Sequence, residues 1–291
     1  MPEDPSRDHK RFLTGLIGAP IAQSASPAMH ERAADALGVR CHYQLIEVAG
    51  ADAAGLRALL EGVKSFGFAG VNVTFPYKEA VVPLLDELSD GARAISAVNT
   101  VVVRDGKLVG YNTDTSGFER AIANLVTASG RGPVALIGAG GVGKAIAFAL
   151  ANLGVAELCI FESDSAKAAH LAAQLRGRLR LRIAASVAYA IQGAVGVING
   201  TPVGMLPDRN SPIPAALLHS DLWVADAVYS PLWTPLLIAA KASGAEVMTG
   251  RELAIYQAAD AFELFTGLKP SIEVMGGAFD AVLASRIDPK R

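Results

Sequence analysis

The chain has 291 residues, of which 51% are hydrophobic and 19% charged, a composition typical of a well-buried globular protein with room for two modest domains. Its 26 basic and 28 acidic residues leave a formal charge of −2, which argues against nucleic acid or an anionic membrane as a partner and favours a small molecule. Two cysteines, a polar N-terminus and polar interruptions in the longest apolar stretch (145–161) lead us to expect a cytoplasmic protein without a disulfide scaffold or a membrane span.

The first part of the chain alternates strand and helix patterns, which favours a parallel sheet with helices on its faces. Segments 97–104 and 107–111 should form a hairpin that turns at Asp105-Gly106, because this dipeptide favours a tight reversal. We predict the other elements of this region as strands at 13–17, 43–48 and 70–74 and helices at 26–37, 51–64 and 79–88.

A second alternating series begins after Gly130-Arg131-Gly132, a break to which a predicted helix leads from Gly117. The two series predict two α/β units with a boundary near residue 115. The predicted elements of the second series are strands at 134–137, 157–161, 195–199, 224–228 and 246–248 and helices at 144–153, 166–176, 235–243 and 251–265.

The predicted turn after strand 134–137 is rich in glycine and matches G-x-G-x-x-G. Glycines at these positions permit a tight turn and a close approach of the backbone to a pyrophosphate, whose charge meets the helix N-terminus. An ordinary βα turn is the alternative, but the preceding strand, the following helix and an acidic residue one strand later favour dinucleotide binding. The predicted cofactor-binding residues of this loop are Gly138, Ala139, Gly140, Gly141, Val142 and Gly143.

The turn after the next strand, Glu162-Ser163-Asp164, bears on the choice between NAD and NADP. A carboxylate there accepts hydrogen bonds from ribose hydroxyls and repels a 2′-phosphate, which an arginine would bind. The turn has no arginine, so NAD is favoured, although Lys167 nearby leaves NADP open. Glu162 is the better candidate for the ribose because it comes first after the strand. Asp164 is a second candidate, and its alternative role is to cap the next helix.

Lys78 ends the stretch 70–78, at the carboxyl end of a predicted strand, where open α/β sheets bind their ligands. Oxidation of an alcohol needs a group that takes the hydroxyl proton, and Lys78 is the candidate. A solvated lysine at a helix start is the alternative. Asp114, in the polar cluster 111–114, could pair with Lys78 so that the two titrate together, or it could cap the helix that follows Thr115.

Nearly the whole chain, from Gly15 to about Gly267, resembles the shikimate and quinate dehydrogenases. So many matches in the same order make chance implausible. The matching motifs are SASP at 24–27, NVTFPYK at 72–78, AVNT at 97–100, NTD at 112–114, GAGG at 138–141, NGTPVGM at 199–205, DAVYSP at 226–231 and QA at 257–258.

The resemblance implies an N-terminal α/β substrate-binding domain at 1–114, completed by C-terminal helices at 250–291, and a doubly wound Rossmann dinucleotide-binding domain at 115–249. It makes Lys78 and Asp114 the catalytic pair, and it adds Thr201 and Gly250 to the residues that bind the cofactor. It also implies that a polyhydroxylated ring carboxylate is bound by Ser24, Ser26, Asn72, Thr74, Asn99, Asp114, Tyr229 and Gln257.

Several of these residues have a structural alternative: a helix cap, a bond to neighbouring backbone, or a turn held by its own side chain. These alternatives apply to Ser26, Asn72, Thr74, Asn99 and Gln257. Three positions depart from the family pattern. Glu162-Ser163-Asp164 replaces the Asn-Arg-Ser/Thr turn of members that use NADP, Gln23 stands where a histidine is common, and Gly143 completes a fuller glycine motif.

We therefore expect an oxidoreductase that reversibly oxidises the ring alcohol of shikimate and/or quinate to the 3-dehydro ketone, with NAD and in a catabolic role. A folate-linked dehydrogenase of similar layout is one alternative, but it would not need the motif at 112–114. A non-catalytic sensor of shikimate-pathway metabolites is another, and the presence of both Lys78 and Asp114 disfavours it. No metal is predicted, and the assembly is expected to be a monomer or a homodimer.

Overall fold

The computed structural model describes residues 10–287. This part of the chain divides into two compact units. Unit 1 contains the residues up to Thr113 together with those from Ala258 onward, and unit 2 is Asp114–Gln257. Each unit is built on one six-stranded sheet with helices, which confirms the predicted α/β class. No helix within residues 10–287 is long and apolar enough to cross a lipid bilayer.

The sheet of unit 1 is mixed and has the strand order β2-β1-β3-β5-β6-β4. β1 runs parallel to β2 and β3, whereas β5 is antiparallel to both β3 and β6, because β5 and β6 form the predicted hairpin. Asp105 (φ 52°) and Gly106 (φ 75°) supply the positive φ angles of that tight turn. The strands are β1 (Arg11–Gly18), β2 (Arg40–Glu47), β3 (Gly70–Val73), β4 (Glu87–Leu88), β5 (Thr100–Arg104) and β6 (Lys107–Tyr111).

Helices cover this sheet, and the core between them is apolar. Leu56, Leu60 and Val63 of the second helix pack with Val71 and Val101 of the strands, because their spacing puts one apolar stripe on the helix. The helices are α1 (Ser26–Ala36), α2 (Ala53–Ser65), α3 (Asp90–Ile95) and α10 (Ile272–Ile287), and α9 (Gly250–Thr266) continues into this unit from Ala258.

The sheet of unit 2 is parallel throughout and has the order β12-β11-β10-β7-β8-β9. This is the doubly wound order of a Rossmann fold, with its switch point between β7 and β10. The strands are β7 (Val134–Ile137), β8 (Glu157–Phe161), β9 (Arg180–Ile183), β10 (Gly196–Asn199), β11 (Trp223–Asp226) and β12 (Glu246–Met248). The helices are α4 (Thr113–Ala128), α5 (Gly141–Asn152), α6 (Ser165–Gln174), α7 (Val187–Ile191) and α8 (Pro235–Ala242).

The predicted helix at 79–88 is wrong. The chain makes a single 3₁₀ turn at Val82–Leu84 and then enters β4, which pairs with β6. Pro83 explains the difference, because proline removes a backbone donor and disfavours the α conformation of the residue before it. Asp86 accepts a hydrogen bond from the Leu108 amide (2.7 Å), which holds the segment against the hairpin.

The starts of α1 and α4 decide two of the predicted cap roles. α1 has Ala25 at its N-cap, so the alternative that Ser26 caps this helix is wrong, and the Ser24 hydroxyl instead accepts the Ser26 amide (3.2 Å). α4 begins at Thr113, which places Asp114 in its first turn rather than at a cap. A carboxylate in a first turn is favoured by the helix dipole.

Residue patterns alone did not predict five elements: β4, α3, β9, α7 and α10, of which α10 lies among the C-terminal helices that the family resemblance implied. β9 reads Arg-Leu-Arg-Ile and alternates, but its arginines masked the pattern, and two of them pair with Glu157. α7 is only one turn long. In α10 apolar residues surround the helix instead of forming one stripe, so periodicity gave no signal.

Candidate active site and dinucleotide loop

One edge of the unit 1 sheet gathers the predicted substrate residues. Antiparallel pairing places Asn72 opposite Thr100, and Thr100 opposite Tyr111, so β3 and β6 end where β5 begins. β1 is parallel to β3 and ends at the same edge. The residues that the structure brings there are Ser24 and Ser26 after β1, Thr74 and Lys78 after β3, and Asn99 before β5.

Lys78 is half-buried at this edge, in a loop that the backbone holds firmly. Its carbonyl accepts the Val98 amide (2.8 Å), and the Tyr77 amide bonds back to Thr74 (2.9 Å). The Tyr77 hydroxyl is buried and bridges the carbonyl of Val48 and the amide of Ala51, each at 2.9 Å. The loop therefore presents Lys78 from a fixed position at the carboxyl end of β3.

Asn72 and Asn99 are buried at 7% and 3% exposure and are joined by hydrogen bonds. Asn72 Nδ2 donates to the Asn99 carbonyl (3.1 Å) and to Thr100 Oγ1 (3.0 Å). Asn99 Oδ1 accepts the Thr113 amide at 2.7 Å. Both amide hydrogens of Asn72 therefore bond to protein groups. Asp114 follows Thr113 directly and is 7% exposed.

Two hydroxyls at this edge are available to a ligand. Thr74 Oγ1 and Ser26 Oγ make no hydrogen bond to any residue within 10–287, and both side chains are partly exposed. The neighbouring loop is held from α10, because Arg286 donates to the Gln23 carbonyl. This bond uses the backbone carbonyl of residue 23, so it does not require a histidine at that position.

The glycine loop of unit 2 has the local geometry that the sequence predicts. Gly138 has φ 100°, a conformation that side-chain-bearing residues rarely adopt. A Cβ on Gly143 would overlap the Gly138 carbonyl oxygen, so the start of α5 lies directly against the turn. A Cβ on Gly140 would meet nothing within 4 Å, which leaves an open face above the first turn of α5. This arrangement fits a dinucleotide pyrophosphate.

Glu162, directly after β8, binds this loop. Its Oε2 accepts the Ala139 amide at 2.7 Å, and its Oε1 accepts the Asp164 amide and the Ser163 hydroxyl, each at 3.0 Å. Partial burial raises the pKa of Glu162, but these hydrogen bonds and Lys167 outweigh the burial and hold the pKa below its usual range. The carboxylate is therefore charged at neutral pH, and Oε2 keeps room for one further donor.

Asp164 caps α6, because its Oδ1 accepts the amides of Ala166 (3.0 Å) and Lys167 (3.3 Å). This is the alternative role that the sequence suggested. The Asp164 and Lys167 side chains are exposed on the surface beside Glu162.

A polar cluster joins the ends of β10 and β11, and its centre is Asp226. Asp226 was not among the predicted site residues. Asp226 is fully buried and accepts hydrogen bonds from Asn199 (2.9 Å), Val228 (2.9 Å) and Thr234 (2.7 Å). Burial raises the pKa of Asp226 to about 6, against the opposing effect of these hydrogen bonds. A carboxylate that ends an apolar strand was the signal available. Asn199 Oδ1 in turn accepts the Thr201 amide (2.9 Å) and hydroxyl (2.7 Å), which fixes the loop at 199–205.

Three further predicted residues lie in unit 2. Gly250 begins α9, and a Cβ there would lie 2.5 Å from the Val228 carbonyl, so only glycine fits this close approach. Gln257 Nε2 donates to the Ala254 carbonyl (2.9 Å), while its oxygen has no partner within the described chain. Tyr229 is half-buried, three residues after the end of β11.

Comparisons with known proteins agree with this geometry. A family model described as the shikimate dehydrogenase substrate binding domain matches residues 16–101, and one described as the shikimate 5′-dehydrogenase C-terminal domain matches residues 250–275. A quinate/shikimate dehydrogenase (NAD⁺) from Corynebacterium efficiens is 41% identical over 280 residues, which cover 94% of this chain and 99% of the relative. The chain belongs to the shikimate/quinate dehydrogenase family.

Relatives in this family differ in their cofactor. A shikimate dehydrogenase (NADP⁺) from an Arthrobacter strain is 40% identical over 281 residues, which cover 94% of this chain and 96% of the relative. The solved structure of a quinate dehydrogenase from Corynebacterium glutamicum in complex with NAD aligns with a TM-score of 0.86 and 40% identity, over 94% of this chain and all of that one. The family assignment makes this protein an oxidoreductase that uses a nicotinamide dinucleotide.

Proposed function

We propose that this family member catalyses the reversible, NAD-dependent oxidation of the ring alcohol of shikimate and/or quinate to the 3-dehydro ketone. The strongest support is the edge of the unit 1 sheet, where a fixed lysine, two open hydroxyls and a buried asparagine pair lie together. A ring that carries several hydroxyls and one carboxylate needs this mixture of neutral donors and acceptors beside a basic group.

Lys78 and Asp114 handle the proton in this proposal. A nicotinamide dinucleotide held at residues 138–143 would supply the acceptor for the hydride of the ring carbon that carries the reacting hydroxyl. Lys78 Nζ, as the free amine, takes the proton of that hydroxyl as the carbonyl forms, so the two electrons leave with the hydride and the proton leaves separately. The Asp114 carboxylate orients the amine and stabilises the ammonium that results.

The family resemblance supports the assignment of substrate recognition to six polar side chains. Ser24 and Ser26, with Tyr229, bind the ring carboxylate, and Thr74, Asn99 and Gln257 bind ring hydroxyls. Asn72 was predicted as a ligand, but both of its amide hydrogens bond to protein, so we assign it the role of holding Asn99. We assign unit 1 to the predicted substrate-binding domain (1–114 with 250–291) and unit 2 to the predicted dinucleotide-binding domain (115–249), although residues 250–257 belong to unit 2.

NAD is the preferred cofactor in this proposal because Glu162 is charged and already ordered by three hydrogen bonds. A fixed carboxylate accepts a ribose hydroxyl and repels a 2′-phosphate. The pyrophosphate binds at 138–143 and α5, with Thr201 and Gly250 completing the cofactor residues and Asp164 and Lys167 flanking the ribose. No observation favours the folate-linked or sensor alternatives.

Replacement of Lys78 by alanine tests the chemical role. We expect kcat to fall by about 10²-fold or more, while the substrate dissociation constant stays within about three-fold, because Lys78 acts on the proton rather than on binding. Steady-state rates and calorimetric substrate binding measure the two effects. Lys107→Ala is the control, since Lys107 is exposed and its ion-pair partner within residues 10–287 is the exposed Glu87 at 2.6 Å. Near wild-type turnover by Lys78→Ala would exclude this role.

A further inference from the structure

Tyr43 lies far from the predicted ligands in sequence, yet its hydroxyl reaches their network. It is on β2 and only 3% exposed, and its Oη donates to Asn72 Oδ1 on β3 at 2.8 Å. β1 lies between these two strands, so the tyrosine spans a strand to make this bond. The His30 ring packs against the Tyr43 ring, with 4.6 Å between their centroids.

The bond from Tyr43 holds the Asn72 amide in one orientation. Asn72 Nδ2 faces the Asn99 carbonyl and Thr100 Oγ1. A carbonyl only accepts hydrogen bonds, so the nitrogen of the amide must face Asn99 and its oxygen must face Tyr43. With the Tyr43 hydroxyl removed, the buried Asn72 oxygen loses its donor, and the Asn72 amide is held less firmly in that orientation.

The chain of hydrogen bonds continues to the start of α4. Thr100 Oγ1 donates to Asn99 Oδ1 (3.0 Å), and the same oxygen accepts the Thr113 amide (2.7 Å). Thr113 is the first residue of α4 and directly precedes Asp114. We call the five residues Tyr43, Asn72, Asn99, Thr100 and Thr113 the Tyr43 network; none is more than 7% exposed. Buried polar networks of this kind specify one rigid arrangement when their members are satisfied.

We propose that Tyr43 is a positioning residue for the dehydrogenase reaction. Its hydroxyl acts through Asn72 and Thr100 to hold Asn99 and the beginning of α4 in the orientation that the chemistry at Lys78 requires. This inference rests on the proposed function, because it assumes that Asn99 and Asp114 face the substrate. Tyr43 itself does not touch substrate or cofactor.

Tyr43→Phe tests the inference, because phenylalanine keeps the ring and its packing on His30. We expect kcat with shikimate or quinate to fall about ten-fold, because a small misplacement of reacting groups is costly, while the KM for NAD stays within about two-fold. A general loss of structure would change both constants. If Tyr43→Phe keeps wild-type kcat, the inference fails while the proposed function stands. An inactive wild-type protein would overturn both.

Thr100→Val breaks the network at a second point and gives the test an independent variant. It should also lose about ten-fold in kcat, and it carries the test alone if Tyr43→Phe does not fold. In the double variant the loss should be no larger than the greater single loss, because the residues act as one unit. Multiplication of the two single losses would show that Tyr43 does not act through this network.

Thr14→Val is the matched control for Thr100→Val. Thr14 is also fully buried in unit 1, but its hydroxyl lies 3.4 Å from Cys41 Sγ and 3.5 Å from the His42 carbonyl, outside the Tyr43 network. We expect a similar fall in melting temperature for both threonine variants and a kcat for Thr14→Val within about two-fold of wild type. Equal losses of kcat in the two threonine variants would assign the effect to any lost buried hydroxyl and would overturn the inference.

Discussion

The Glu162 carboxylate serves two purposes at the cofactor loop. Its Oε2 holds the Ala139 amide, and its charge sets the preference between ribose and 2′-phosphate in the proposed function. The two purposes can be separated, because glutamine keeps an acceptor oxygen but removes the charge. In the proposed function, Glu162 therefore both shapes the loop and selects its ligand.

Glu162→Gln should raise the ratio of kcat/KM for NADP to kcat/KM for NAD by about ten-fold, because the repulsion of the 2′-phosphate disappears. Glu162→Arg should raise the ratio further but lower the melting temperature, since the Ala139 amide then loses its acceptor. Initial rates with both dinucleotides measure the ratio. Glu157→Gln, at the other end of β8, is the control and should leave it unchanged. An unchanged ratio in both Glu162 variants would show that another group selects the cofactor.

Burial determines the protonation state of His30. It is fully buried, and neither ring nitrogen has a hydrogen-bond partner among residues 10–287. Desolvation lowers the pKa of His30 to about 3, so the folded protein keeps the ring neutral. In the unfolded chain the ring titrates near its ordinary value of 6.5. The neutral ring therefore contributes stability above pH 6.5 that is lost as the pH falls toward 3.

His30→Met should stabilise the protein at neutral pH by about 1 kcal/mol, because two unsatisfied nitrogens leave the core and the sulfur packs among aromatic rings. Between pH 6.5 and 4.5 the variant should lose roughly 2–3 kcal/mol less stability than wild type, at about 1.4 kcal/mol per unit. Denaturant titrations across this range measure the difference. His170→Met, on the exposed surface of α6, is the control. If His30→Met loses as much stability on acidification as wild type, the neutral, buried state of His30 is not the cause of that loss.

At the scale of elements, the proposed function assigns cofactor binding to the junction of β7 and α5, where the placement of the glycines matters. A side chain on Gly143 would clash with the Gly138 carbonyl, whereas a Cβ on Gly140 would meet no protein atom within 4 Å. Substitution of Gly143 therefore tests packing inside the protein, and substitution of Gly140 tests the approach of a ligand to the loop.

Gly143→Ala should lower stability by about 1–3 kcal/mol and weaken NAD binding, because its Cβ would push the start of α5 away from Gly138. Gly140→Ala should keep the wild-type melting temperature but weaken NAD binding about ten-fold, because the backbone must approach the pyrophosphate closely. Thermal melting and fluorescence titration with NAD measure the two effects. Unchanged NAD affinity in Gly140→Ala would contradict the placement of the pyrophosphate at this loop.

Regular elements with a single period were predictable from the sequence. β7, β8 and β12 match their predicted bounds, because each is a short apolar strand with clear turns on both sides. Periodicity predicted a helix at 79–88 wrongly, because the apolar spacing of this segment resembles a helix while Pro83 prevents one. The start of α4 also escaped prediction, since it depends on the hydrogen bond that the Thr113 amide donates to Asn99 Oδ1, and Asn99 is distant in sequence.

At the scale of the whole molecule, motif residues were predictable and supporting residues were not. Lys78 and the glycine loop carry local signals, a strand end and a spacing of glycines. Tyr43 carries none, and Asp226 carries only its position at the end of an apolar strand, because both roles arise from contacts between strands that only the sheet order brings together. A resemblance to a family transfers ligand residues, but it does not reveal which buried side chains hold them in place.

The most direct test of the proposed function is the initial rate of NADH formation when the purified protein is given NAD⁺ with shikimate or with quinate. We predict turnover of at least one ring alcohol, with kcat/KM for NAD⁺ at least about ten-fold above that for NADP⁺, since Glu162 repels the additional phosphate. An absence of reduced nicotinamide with both substrates, or a preference for NADP⁺, would contradict it.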